Sequence, residues 1–141
     1  MQLQGLYTAL ASAARTATQN ISGASLLDPA GLGKADYGIA LVAYLNVTVA
    51  PGVETLILKL QEQNPITGTW SDVAGVATSA TTATGSVKLK LAAGVVAVAP
   101  SVTAVQVPDT LPPIWRLVVV HSAASSWTYS LAVGVYSDLA A

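Results

Sequence analysis

The stretch VVVHSAASSWTYS, residues 118–130, carries the single histidine of the chain, His121, followed by Ser122, Ser125 and Ser126. Histidine beside serine is the pairing that hydrolases use. The imidazole takes the hydroxyl proton, and the oxygen attacks a carbonyl carbon. That chemistry also needs a carboxylate to orient the imidazole and donors to hold the oxyanion. The seven acids are scattered, and their spacing places none of them beside His121. A nucleophile elbow of the G-x-S-x-G type does not occur. The residues therefore read as structure. His121 ends one strand, the serines turn the chain, and the next strand begins. His121 is expected to be hydrogen-bonded to its own turn, or exposed. No catalytic residue is expected, and the chain is read as a non-enzyme.

Other chemistry is equally thin. GLGK, Gly31 to Lys34, resembles part of a phosphate loop. It lacks the earlier glycine and the Ser/Thr after Lys34, so it reads as a turn. One histidine, no cysteine and no D-x-D run give no metal-ligand cluster, and no metal or cofactor is expected. Trp70, Trp115 and Trp127 could stack on sugars, as in carbohydrate-binding or adhesion sandwiches. Aromatic residues at strand ends more often cap a core or fill cross-strand pairs.

The elements that would position these residues follow a period of two. In GIALVAYLNVTVA, Ile39, Leu41, Ala43, Leu45, Val47 and Val49 share one face. Leu56, Leu58 and Leu60 fall inward with Thr55, Lys59 and Gln61 outward, and Val87, Leu89 and Leu91 alternate with Lys88 and Lys90. A helix would scatter those lysines around its circumference. Trp115, Leu117, Val119 and His121 share a face of the next strand, and Trp127, Tyr129, Leu131, Val133 and Val135 share one in the last. APG at 50–52, NPITG at 64–68 and VPDTLPP at 107–113 punctuate the strands. The spacing predicts an all-β protein, an antiparallel, jelly-roll-like β-sandwich. Residues 1–36 are rich in Ala, Ser and Thr without a sustained period. They read as an extended N-terminal arm with one or two edge strands, and residues 37–141 as the sandwich domain.

Composition bounds the partners. The chain has 141 residues, enough to bury roughly 68–70% of its unfolded surface without disulfide or metal. A net charge of -1 gives no electrostatic reason to bind nucleic acid or an anionic membrane. No segment reads as a membrane span, and the first residues lack the pattern of a secretory signal. A soluble protein made in the cytoplasm is expected. Only 9% of residues are charged, against about 25% in ordinary soluble domains. So small a charged fraction fits a surface partly covered by neighbours.

The segment GIALVAYLNVTVAPGVETLILKLQEQNPITGTWSDVAG, and later LPPIWRLVVVHSAASSWTYSLAVGVY, resembles small virion structural proteins of tailed bacteriophages. The likeness runs from about Gly38 to Tyr136 and rests on strand-and-turn patterns. Such proteins are similar to capsid decoration, or cement, proteins. The resemblance implies a place on the virion's capsid surface, assembly in the host cytoplasm, and contact with the major capsid protein. It also implies a homo-oligomer, with a trimer favoured because cement proteins often occupy three-fold positions. A tail-associated structural protein and an adhesion module are the alternatives.

Overall fold

The computed structural model describes residues 2–27 and 38–137. Their elements are β1 (Gln2–Arg15), β2 (Gln19–Ser22), α1 (Gly23–Leu27), β3 (Ala40–Val49), β4 (Leu56–Gln63), β5 (Trp70–Ala77), β6 (Gly85–Leu91), β7 (Ala104–Val107), β8 (Trp115–His121) and β9 (Trp127–Ser137). They form a five-stranded sheet in the order β1-β9-β3-β6-β7 and a four-stranded sheet in the order β2-β8-β4-β5. The two sheets pack face to face, so the all-β sandwich expected from the period-two pattern is the fold.

The alternating residues meet between the sheets. Leu41, Leu45, Leu58, Leu60, Leu89, Leu117, Leu131 and Val133 are all buried in one core with Trp115, Trp127 and Tyr129. Leu58 stands opposite Val119, and Leu45 lies between Leu131 and Val87. Each inward residue thus meets a large apolar partner, which is what specifies the register of a half-buried strand.

Val49 departs from the pattern. Alternation puts it inward with Val47, yet it is 53% exposed. A register shift between Val47 and Val49 against β9 is the reason. One extra residue reverses the side of every residue after it.

Bulges also explain why the first residues show no period. β1 pairs antiparallel with β9 from Gln2↔Ser137 to Arg15↔Trp127, with shifts at Leu3/Gly5, Thr8/Leu10 and Leu10/Ala13. Each shift resets the alternation, so the strand looks aperiodic as a sequence. Within the stretch expected as an arm, Gln2–Arg15 is thus a paired edge strand of the larger sheet, and β2 pairs with β8 at an edge of the other. Residues 28–36 of that stretch, with Gly31 and Lys34 of the GLGK turn, lie outside the described residues.

Two local features were not expected. The pair β6–β7 is parallel. Residues 92–103 carry the chain back to the starting end of β6 before β7 begins, and on the way Val98 bridges Gln106. The short helix α1 lies against the core, where a Cβ on Gly23 would come within 2.5 Å of the Trp115 ring. The β4–β5 turn does follow the sequence. Asn64 Oδ1 accepts from the amides of Ile66 and Thr67, and Gly68 takes a φ of 75°.

Candidate functional site

His121 closes β8 on the inward face, beside Tyr129 of β9. Its Nε2 is 2.8 Å from the Tyr129 hydroxyl, and the two rings are tilted by 49°. The Arg15 guanidinium lies 5.0 Å from the centre of the Tyr129 ring and donates to the Tyr129 carbonyl at 2.6 Å. The backbone amide of His121 donates to Thr18 Oγ1 at 3.1 Å, which ties the β1–β2 connection to the end of β8. The expected bond between the histidine ring and its own turn is therefore corrected. The ring reaches the neighbouring sheet instead, because an inward strand-end residue faces the opposite layer.

The electrostatics favour a neutral imidazole. Burial pushes the His121 pKa below 6.5, the Glu54 carboxylate opposes this, and the Arg15 guanidinium adds to it. His121 Nδ1 is buried with no hydrogen-bond partner, so the charged imidazolium would hold an Nδ1–H without an acceptor. Burial also pushes the Tyr129 hydroxyl up to about 12, with Arg15 pulling the other way.

The structure does bring a carboxylate to the hairpin, which the sequence spacing did not reveal. Glu54 Oε1 accepts from Ser125 Oγ at 2.6 Å, and Glu54 Oε2 accepts from the Ser125 amide at 3.0 Å. Ser122 Oγ accepts from the Thr55 amide at 2.9 Å. The geometry is a clamp between two loops. The Ser125 hydroxyl donates its hydrogen bond to the acid, and the imidazole is bonded to a phenol. Among the described residues no serine hydroxyl is hydrogen-bonded to His121, so the relay a hydrolase uses is not assembled. No cluster of three metal-ligating side chains occurs among the described residues either.

The three tryptophans do not share a surface. Trp115 and Trp127 are buried in the core, and neither Nε1 finds a partner. Trp70 lies on the outside of the four-stranded sheet, with the Arg116 guanidinium 4.4 Å from its ring. A sugar platform built from all three is therefore not available.

What the fold does build is a difference between its two outer faces. On the four-stranded sheet the polar groups are linked. Lys59 Nζ is 2.9 Å from Asp72 Oδ1, Gln61 Nε2 donates to the same oxygen at 2.8 Å, and Arg116 Nε donates to Gln61 Oε1 at 2.8 Å. The Gln61 bond and then the Lys59 bond hold the Asp72 pKa below its ordinary value of 3.8. The linked groups lie beside Ile57, Val118 and Val120 on the same outward side.

The five-stranded sheet is different. The registers place Leu6, Gly134, Val42 and Lys90 in one outward row, and Thr8, Ala132, Tyr44 and Lys88 in the next. Leu6 is 68% exposed, Leu3 50% and Tyr44 47%. At the foot of the face lies a cavity of about 180 Å³ lined by Ala40, Leu41, Lys90, Ala92, Val95 and Tyr136. Lys88 stands 6.0 Å from the Tyr44 ring, at the margin of the apolar stretch. The candidate functional site is this face.

No protein family and no curated protein matches the chain. Among the described residues no helix is long and apolar enough to cross a membrane.

Proposed function

We propose that the chain is a structural virion protein of a tailed bacteriophage, a head decoration protein that binds the outside of the capsid and stabilises it. The observation that supports this is the asymmetry of the sandwich. One outer face carries a linked polar network beside the covered Val118, and the other exposes Leu3, Leu6 and Tyr44 around small residues. Large apolar side chains grouped on one face mark a surface that a partner covers. The partner in this reading is the major capsid protein. The polar face stays in solvent, and the protein joins the shell in the host cytoplasm. Catalysis and cofactors have no part in it, and neither nucleic acid nor a membrane is a partner.

Attachment through such a face rests on apolar burial and backbone hydrogen bonds, so it tolerates salt better than a charge-steered contact. The test is titration of purified protein onto undecorated particles. Saturable binding at many sites per head is expected, little changed between low and moderate salt. Tyr44→Asp should weaken it tenfold or more, and Ile66→Asp in the β4–β5 turn should not. Absence of binding, or binding confined to tails, overturns the proposal.

A further inference from the structure

We propose that β1 is the pairing edge for a second copy of this chain, joined antiparallel about Leu6, so that two five-stranded sheets become one ten-stranded sheet. A free edge strand presents unpaired N–H and C=O groups, and proteins blunt it by shortness, charge, proline or bulges. Among the described residues the sandwich has four edge strands: β1, β7, β2 and β5. β2 and β7 have four residues each. β7 is also covered, since Val98 and Gln106 exchange both backbone bonds across its outer side, and Pro108 follows it. β5 carries Asp72 and a left-handed Gly75 at φ 77°.

β1 is protected least. It has 14 residues, the most of any strand described, and no charge before Arg15. Arg15 does not shield the free edge. Its guanidinium donates to the carbonyls of Ala11, Ala13 and Tyr129, filling the bulge where the β1–β9 ladder breaks. The bulges distort both ends of β1, but Gly5 to Thr8 pair with β9 without interruption. That stretch is the unbroken part of the edge, and Leu6 is the exposed apolar residue within it.

The same stretch selects the occupant. Two copies of one strand, run antiparallel, present identical donors and acceptors to each other, so each edge satisfies the other. Residues directly opposite across a pair lie on the same face. Leu6 opposite Leu6 keeps both leucines on the outer apolar face and Tyr7 on the core side. Antiparallel pairing also sets the two Arg15 residues at opposite ends, roughly 60 Å apart at about 3.3 Å per residue. A parallel pair would put them side by side. A self-complementary edge closes as a two-fold pair, rather than the three-fold assembly the family resemblance implies.

The test exploits the absence of cysteine. Sedimentation of the full chain, without particles, should give twice the 14.2 kDa monomer mass. Leu6→Lys should give a monomer with an unchanged β circular-dichroism spectrum, because Leu6 is on the surface. Mild oxidation of Leu6→Cys should give a disulfide-linked dimer, since directly opposed Cα atoms of an antiparallel pair are about 4.5–5.5 Å apart, within the range a disulfide spans. Ile66→Cys should not cross-link. A monomeric or trimeric parent, a dimeric Leu6→Lys protein, or equal cross-linking at residues 6 and 66 overturns the proposal. These outcomes are read without a shell, so they stand apart from the Tyr44→Asp binding result.

Discussion

Leu58→Ala tests the layer that holds both outer faces in place. Leu58 lies mid-strand in β4, fully buried and opposite Val119. The substitution removes three carbons. At about 0.8 kcal/mol for each buried CH₂, the lost transfer energy is about 2.4 kcal/mol. A cavity term adds to this to the extent that the site cannot collapse. Collapse is resisted here, because the Leu58 backbone is held at its edge by Thr78. The Leu58 amide donates to Thr78 Oγ1 at 3.1 Å, and its carbonyl accepts from the Thr78 amide at 2.9 Å. β8 holds it on the other side. The total is about 3–5 kcal/mol, a large part of the 5–15 kcal/mol typical of a domain. For a chain of this size the melting temperature should fall by roughly 10–15 °C. Urea unfolding followed by tryptophan fluorescence measures it, since Trp115 and Trp127 leave the core on unfolding. Ile66→Ala, at a position 92% exposed, should change stability by no more than about 0.5 kcal/mol. A Leu58→Ala loss below about 1 kcal/mol with an unchanged m-value would refute the register of β4.

The single histidine gives one imidazole resonance to titrate, and its pKa should lie below 6.5. Arg15→Gln should raise that pKa, and Glu54→Gln should lower it further; the opposite signs would reject the electrostatic account. The unfolded chain binds the proton more readily, so the contribution of His121 to stability is complete above pH 6.5 and is lost as pH falls through the folded pKa. A His121→Gln protein should lack this acid-side loss, as unfolding at several pH values will show. Tyr129→Phe should cost about 1–3 kcal/mol, because both imidazole nitrogens then lack a protein partner. A double-mutant cycle between residues 121 and 129 that gives no coupling would contradict the hydrogen bond.

The sequence by itself determined which residues face inward wherever a strand is regular. Leu56, Leu58 and Leu60, and Val87, Leu89 and Leu91, are buried as their alternation requires, since a period of two fixes a residue's side of the sheet. The prolines and glycines marked the turns for a similar local reason, through φ and the missing amide donor. Tertiary structure decided whatever depends on a partner far along the chain. The alternation of β3 does not say that a bulge against β9 turns Val49 outward. The composition of β1 does not say that β9 will recruit it as a strand, because its bulges erase the period. Glu54 and Ser125 are 71 residues apart, and only the closeness of two loops brings the acid to the serine. Trp115 and Trp70 look alike in sequence, yet one is in the core and the other lies under an arginine on the surface. The contrast between a polar and an apolar outer face is likewise tertiary. Periodicity tells a residue which side of its own strand it occupies, but the order of strands within each sheet decides which outward residues become neighbours.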